Sequence, residues 1–446
     1  MKKITFVFCS LFFIPALAQE HFGPITTSKR VGILNGNMNP SEFANLDSKF
    51  EVQLFGLSLN SSNNRVSIGD LSGDENIEDL IFSGSEGVDF STNFELALPG
   101  FAFKALGFGF AISSGAHIQA NVNDVDPVLG RALSGEDITP TSGLQILDYN
   151  TNQRMNGTAW GEIGFSVSRK IWANKKHRFN AGVTMKLLFP GSYGNVGMDD
   201  IEGTLSNNED GDVILSDATG KLNIAYSGSL GQSFEETENY TNSLFGGLNG
   251  FAGDIGFDYQ WKPGASYKLK VGVSIKNMGS MTFKDDNNSS TNYELQVGSG
   301  ANSLNLSDLD NISGLEDIED ELLSQGVIAV TPGETDFKVK LPTVFNLYAD
   351  LKVVSKFNVT LFFQQKMNDN SKNNQINAQN IFSVTPRVNL AFFEAFLPVS
   401  VTEIAGTNAG FGFRLSGFYL GSNSVFTALA SGKQADAYFG YRFGFL

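Results

Sequence analysis

Thiols, histidines, charge and long apolar runs are all scarce in this chain. The only cysteine is Cys9, and it lies in the apolar stretch of residues 4–15 that follows Lys2 and Lys3. Ala16-Leu17-Ala18 closes the stretch as a small-x-small cleavage site, so residues 1–18 read as a cleaved signal peptide and Gln19 as the first mature residue. Cys9 leaves with that peptide, and it stands too far from the cleavage point to carry a lipid anchor. The exported chain then has no disulfide, no thiolate metal site and no cysteine nucleophile. No later stretch reaches ~18 consecutive apolar residues, which excludes helical membrane spans. His21, His117 and His177 are the only histidines and are far apart in sequence. There is no H-x-x-x-H pair, no G-x-S-x-G elbow and no phosphate-binding glycine loop. An acyl-transfer enzyme needs a nucleophile, a base and an orienting group within reach of one another. We therefore read the chain as non-enzymatic, with no catalytic residue, no cofactor and no metal assigned. The net charge of −16 removes the basic footprint of a nucleic-acid binder.

What the chain does have is phenylalanine, at 39 residues, and glycine, at 48, with charged residues at only 17% against ~25% in soluble proteins. The last ten residues show how these are used. Phe439, Tyr441, Phe443 and Phe445 fall on one face of a strand, and Gly440, Arg442 and Gly444 on the other. An aromatic face backed by glycine and charge suits a strand with lipid outside and a polar lumen inside, the alternation of a transmembrane β-barrel. The pattern recurs. Ile255, Phe257, Tyr259 and Trp261 oppose Asp254, Gly256, Asp258 and Gln260. Phe179, Ala181, Val183, Met185, Leu187 and Phe189 oppose Asn180, Gly182, Thr184 and Lys186. Tyr267, Leu269, Val271, Val273 and Ile275 oppose Lys268, Lys270, Gly272, Ser274 and Lys276. Phe357, Val359, Leu361 and Phe363 oppose Asn358, Thr360 and Gln364, with Phe362 breaking the polar face. Each run is about the ~9–11 residues that a tilted strand needs to cross a bilayer.

Short connections at 172–177, 262–266 and 354–356 alternate with long polar ones at 123–156, 195–221, 231–250, 285–336 and 368–380. Short periplasmic turns and long extracellular loops are the polarity of such barrels. Trp172 and Trp261 flank two short turns, where an aromatic girdle lies. Candidate strands begin near Phe50, Phe94, Gly107, Ala159, Arg178, Lys221, Phe251, Tyr267, Thr343, Phe357, Ile381, Ala395, Ala409 and Ala437. That gives about fourteen, an even number as single-chain bacterial barrels require. Pro99, Pro342, Pro386 and Pro398 fall in or near these runs and mark strand ends or bulges. The expected class is all-β: a transmembrane antiparallel barrel over 49–446, in the outer membrane of a Gram-negative cell, with outer-membrane lipid around it. Residues 19–48 precede it, either as a plug or as a periplasmic leader.

Three features carry chemistry, each with a plainer alternative. Lys186, Lys268, Lys270, Lys276, Arg414 and Arg442 are lumen-facing candidates. They suit either an anion-preferring lumen or internal ion pairs with Glu162, Asp254, Asp258 or a plug, and ion pairs are the favoured reading. Acidic segments near Asp70, Asp74 and Glu75, and near Asn208, Asp210 and Asp212 around Gly211, offer oxygen ligands. No full calcium-loop pattern follows, so solvated loops are favoured. Ser313-Gly314-Leu315-Glu316 has the form of a capping box, with Leu315, Ile318 and Leu322 on one stripe that packs over the barrel mouth or against a partner, the mouth being the favoured reading. His117 near a strand end is read as structural.

Asn39-Pro40-Ser41-Glu42-Phe43-Ala44 is similar to the Asn-Pro-Ala pattern near the start of long-chain fatty-acid channels. The chain more closely resembles a Bacteroidota family of outer-membrane proteins of unassigned function. The run 123–133 (NDVDPVLGRAL) looks like that family's loop motif, and Leu341-Pro342-Thr343 and Thr385-Pro386-Arg387 look like its later strand starts. The resemblance spans nearly the whole mature chain. It implies fourteen strands and an N-terminal plug, with Asn39, Pro40 and Phe43 as plug candidates, and no catalytic residue. Some relatives carry a peptidoglycan-binding domain after the barrel, whereas this chain stops at the last strand. Barrels of this kind also serve as subunits of secretion and assembly machines, so protein partners in the outer membrane are expected. An accessory or scaffold role is favoured over a channel for small or hydrophobic solutes, because the readable inward positions are mostly Gly, Ser, Asn, Lys and Gln.

Overall fold

The computed structural model describes residues 22–28, 32–73, 76–134, 144–228, 246–264, 266–284, 289–311, 314–331, 336–390 and 392–445. Residues 1–18, read as a signal peptide, and His21, Asp74, Glu75 and Ser313 lie outside them, as does the side chain of Phe445.

Fourteen staves form one closed antiparallel barrel. They are β1 (Phe50–Asn63), β2 (Val88–Ala97 with Gly100–Ala105), β3 (Phe108–Val125), β4 (Gln153–Ala173) and β5 (His177–Asn207). Next come β6 (Gly250–Trp261), β7 (Leu269–Phe283), β8 (Phe337–Lys340 with Val344–Val354), β9 (Phe357–Lys366) and β10 (Ile381–Asn389). The last four are β11 (Phe393–Phe396 with Val399–Thr402), β12 (Gly406–Ala409 with Phe411–Leu415), β13 (Phe418–Ser422) and β14 (Gln434–Phe445). Each pairs with the next, and β14 closes on β1 with Leu57 opposite Phe439 and Val52 opposite Phe443. The wall is polar inside and apolar outside. Asn180, Asp258, Asn346, Asp350 and Glu394 are buried in the lumen, while Phe165, Phe257, Leu361, Phe382, Phe439 and Tyr441 are exposed on the outer face. Phe362, the break in the β9 pattern, is buried with Met38 and Tyr348.

The count of fourteen arises from two cancelling differences. The strand around Lys221 is not a stave, and the stave β13, only five residues long, gave too short an alternation to read. The prolines act locally. Pro99, Pro342 and Pro398 fall between the two halves of β2, β8 and β11. Pro386 instead lies inside β10, where pairing passes from one half of β11 to the other. Its carbonyl accepts from the Leu397 amide at 3.0 Å, so its missing N–H falls at the break opposite Pro398.

Several segments read as polar loops are strands. β5 runs 31 residues, far beyond the ~9–11 that cross a bilayer. Its far part pairs with Val213–Ser227 on one side and with Gln145–Tyr149 on the other. Val213–Ser227 pairs with Ser289–Val297, and that strand with Ile328–Thr331. The result is an extension of the barrel sheet that stands on the long-loop end of the barrel. One face is solvated and acidic, which hid the alternation. The other face buries Leu147, Ile201, Leu205, Leu215, Ile224 and Leu295 under the helices Pro127–Leu133 and Leu315–Ser324. The apolar stripe Leu315, Ile318 and Leu322 thus packs into this cap, against its sheet. Gly314 is the N-cap residue and no side chain caps the helix. Glu319 is buried and accepts the hydroxyls of Tyr226, at 3.0 Å, and Tyr293. Burial and then the Glu319 carboxylate hold both phenols above the ordinary tyrosine range.

The cap has its own apolar core, so it should loosen without the barrel. Leu215→Ala removes a side chain that is 2% exposed and should cost about 2–5 kcal/mol. Hydrogen exchange should speed up in residues 193–227 and 289–331 and stay unchanged in β9 and β10. Equal acceleration of both regions would mean that cap and barrel unfold as one unit.

Candidate functional site

The site is the lumen, and the N-terminal segment fills its short-turn half. The helix α1 (Gly32–Met38) leads into a 3₁₀ turn, Pro40–Asn45, for which Asn39 is the N-cap. Pro40 supplies a preset φ at the first position, and the Asn39 Oδ1 accepts the Ser41 amide at 3.1 Å. The other end of the same side chain reaches the wall. Asn39 Nδ2 donates to the carbonyls of Phe257, at 3.0 Å, and Val273, at 3.2 Å, which face each other across β6 and β7. Such contact needs a wall without side chains. A Cβ on Gly256 would stand 1.9 Å from Asn39 Oδ1, and one on Gly182 would stand 2.4 Å from the Pro40 carbonyl carbon. Asn39, Pro40 and Phe43 are all buried. Ser274 Oγ donates to the Met38 carbonyl at 2.9 Å.

Five of the lumen cations, Lys186, Lys270, Arg387, Arg414 and Arg442, are met by carboxylates. Lys270 Nζ pairs with Glu42 of the N-terminal segment at 2.7 Å, both side chains being almost wholly buried. The Tyr348 hydroxyl also donates to Glu42. Lys186 lies 3.4 Å from both Glu162 and Asp254, and Arg442 lies 3.6 Å from Glu51. Glu51 in turn accepts the amides of Gly32 and Ile33 at 3.2 and 3.0 Å. Arg414 pairs with Glu394 at 3.1 Å. Glu394 also meets Arg387 at 3.3 Å, and Arg387 meets Asp350 at 3.0 Å. Asp258 accepts Asn180 and Asn45 at 2.8 and 3.0 Å.

Two of the face assignments need correction. Lys268 precedes β7 and sits at the short turn, where its ammonium donates to the Val353 carbonyl at 3.0 Å in an exposed position. Tyr267, read as lipid-facing, is 4% exposed and donates its hydroxyl to Asp350. The chain bends between these residues and Leu269, so the two-residue period does not extend through them. His117 stacks on Trp160 at 4.6 Å and lies 3.6 Å from Glu162. Asn208 Oδ1 accepts the amides of Asp210 and Asp212 at 2.9 and 2.8 Å. Its oxygen thus holds the turn. Among the described residues no three His, Cys, Asp or Glu side chains come together as a metal group.

A second insertion comes from the long-loop end and was not legible in the sequence. Residues 367–380 fold into the barrel, and Gln375, Ile376, Asn377, Ala378 and Gln379 are buried there. Arg154, itself wholly buried, anchors them. Its guanidinium donates to the carbonyls of Asn370, at 2.7 Å, and Gln375, at 3.0 Å, and to Asn195 Oδ1 at 3.0 Å. Asn156 and Gln119 add bonds to the Gln375 and Asn377 carbonyls at 3.1 and 3.0 Å. The only signal was asparagine content, which a solvated loop shares.

Between the two insertions lies a chamber of about 170 Å³, lined by Phe22, Leu34, Met38, Trp160, Lys276 and Phe362 among others. Trp160 Nε1, Gln119 Oε1 and Asn346 Oδ1 reach it with no hydrogen-bond partner among the described residues. Polar atoms of this kind hold water rather than hydrocarbon.

A closed fourteen-stave barrel, with chain inserted from both ends and a cap at one, defines the class: a β-barrel of the outer-membrane type. Residues 43–423 match one family model, and the chain belongs to the Family of unknown function (DUF5723). No match was found among curated proteins. Among solved structures the chain is similar to the P. putida toluene transporter TodX, at 9% identity and a TM-score of 0.40, over 92% of this chain and 94% of that one. It is also similar to the translocator domain of autotransporter NalP from Neisseria meningitidis, at 7% identity and a TM-score of 0.32, over 93% and 95%. The transport unit of autotransporter AIDA-I from Escherichia coli matches at 11% identity and a TM-score of 0.29, over 89% and 90%.

Arg154→Ala should free the inner loop while leaving the staves paired, because it removes the donor that holds two of the loop's carbonyls. Residues 367–380 should then become open to protease and to fast hydrogen exchange. A loop as protected in the variant as in the wild type would show that Arg154 does not hold it.

Proposed function

We propose that this chain is a non-enzymatic outer-membrane barrel that serves as an accessory or scaffold subunit of a larger outer-membrane assembly. The observation that carries this reading is the doubly filled lumen. A channel keeps a path open, whereas here two separate segments are bonded into the wall by buried charge pairs and backbone carbonyls. Breaking a buried ion pair such as Glu42–Lys270 costs about 3–5 kcal/mol, so the inner filling is not a loosely resting gate. The apolar outer face supports insertion in a bilayer, and the short and long connections orient it with short turns towards the periplasm. The capped outer end then supplies the surface offered to partners.

A second reading is a channel for small solutes, favoured by the chamber between the insertions. Its size suits a molecule near that of benzene, since a cavity of about 150 Å³ holds one. The orphan polar atoms in it argue for a polar guest over a greasy one.

Planar-bilayer recording separates the two. The wild-type protein should pass no steady current, and loss of residues 22–48 should open one. Purification from the native membrane in mild detergent should bring down a stoichiometric protein partner. Steady current through the wild type, with no partner recovered, would overturn the scaffold reading and leave the channel.

A further inference from the structure

Charge is distributed very unevenly between the two ends of the barrel. The short-turn segments 104–108, 169–178, 262–268, 352–356, 389–393 and 415–417 hold ten lysines and arginines and no Asp or Glu, in a chain whose net charge is −16. The acid lies elsewhere, on the cap, in the long loops and within the lumen.

The cations concentrate on one arc. β5 pairs with both β4 and β6, with Trp172 opposite Phe179 and His177 opposite Trp261. The β4–β5 and β6–β7 turns therefore stand side by side, and the Lys262 amide donates to the Lys176 carbonyl at 2.6 Å. Arg169, Lys170, Lys175, Lys176 and Lys262 all lie on this arc. Among the described residues none of the five forms an ion pair with a carboxylate. The facing acids are few: Asp47, exposed at the mouth, and Asp258, already bonded to Asn180 and Asn45 inside the lumen. Partial burial and then the Arg178 charge lower the proton affinity of Lys262 below that of an ordinary lysine.

The position of the arc along the barrel axis identifies what it meets. Ile171, Trp172 and Trp261 on the same arc are 59%, 51% and 40% exposed. The guanidinium of Arg169 lies 4.9 Å over the ring of Phe108, and Phe108, Phe110, Phe103 and Phe101 continue as a chain of contacting rings. Exposed Trp sits where hydrocarbon ends and headgroups begin, and Lys and Arg beside it extend their charges into the headgroup layer. A soluble acidic partner would meet only the turn tips and has no use for a cation on the outer wall such as Arg169.

We infer that the arc formed by the β4–β5 and β6–β7 turns binds the phosphate headgroups of anionic phospholipid in the membrane leaflet at the short-turn end. The inference rests on the membrane reading given above. Its physical basis is the attraction of a cluster of unpaired cations to an anionic lipid surface, additive over the residues involved.

The mature chain offers a direct readout, because it has three tryptophans, of which Trp172 and Trp261 stand on the arc and Trp160 is buried in the lumen. The full-length barrel is reconstituted in phosphatidylcholine vesicles containing brominated phosphatidylglycerol or, at the same mole fraction, brominated phosphatidylcholine. Quenching of tryptophan fluorescence should favour phosphatidylglycerol on the order of tenfold. The preference should collapse at about 1 M salt, where the screening length is ~3 Å. It should also collapse when Lys170→Gln, Lys175→Gln, Lys176→Gln and Lys262→Gln are combined, and persist in Lys221→Gln on the cap. The salt titration needs no variant and so decides the matter even if the fourfold variant fails to fold. Equal quenching by the two lipids would overturn the inference and leave the arc to a soluble acidic partner. Quenching by neither lipid would overturn the membrane reading itself, and the inference with it.

Discussion

The reversed polarity of the wall is the constraint from which the rest follows. Each stave places Asn, Ser, Thr, Asp, Glu, Lys or Arg on the inside, and a buried polar group without a partner is destabilising by roughly 1–3 kcal/mol, more for a charge. A wide barrel meets that demand with water. This one meets much of it with its own chain. Glu42 neutralises Lys270, Glu51 holds both Arg442 and the start of α1, and Asn39 meets two wall carbonyls at once. The glycines at 182 and 256 belong to the same solution, because they let backbone lie directly on the wall. The filling is part of the fold rather than an addition to it.

The same logic explains the inner loop. Arg154 is a cation placed inside the barrel that forms no ion pair among the described residues, and it is satisfied by carbonyls of residues 367–380. The two insertions therefore use different chemistry. The N-terminal one is held largely by ion pairs and by close contact with the wall. The loop is held by hydrogen bonds that one arginine and several asparagines donate to it, those from the Arg154 guanidinium being charge-assisted.

Much of the barrel was legible because a stave between lipid and lumen must alternate, and runs such as 254–261 carry that signal in every residue. The failures have physical causes. β13 is short, so its period could not be seen. The cap strands alternate too, with Ile201, Leu205, Val213 and Leu215 on one side, but their other face is acidic and solvated and reads as loop. Tyr267 and Lys268 lie beyond the end of the regular strand, where the period no longer applies. The partners of the lumen cations were only partly visible. Glu162 and Asp254 lie on neighbouring staves at readable positions, and Glu394 lies directly opposite Arg414 on the next stave. Glu51 meets Arg442 only where β14 closes on β1, and Glu42 meets Lys270 only because the N-terminal segment enters the lumen. The inner loop left no signal, because an asparagine-rich segment bonded inside a barrel and one in water have the same composition.

The central claim is that residues 32–48 are built into the wall, and the scarcity of thiols makes it simple to test. Cys9 is the only cysteine, so Ser41→Cys in a protein that lacks residues 1–18 places a single thiol in the barrel, at a residue that is 0% exposed. Labelling with a membrane-impermeant maleimide, in bilayers and again after denaturation, reads its accessibility. The account predicts no reaction in the native protein and full reaction once it is unfolded. Rapid labelling of the native protein would contradict it and would make the segment a leader outside the lumen.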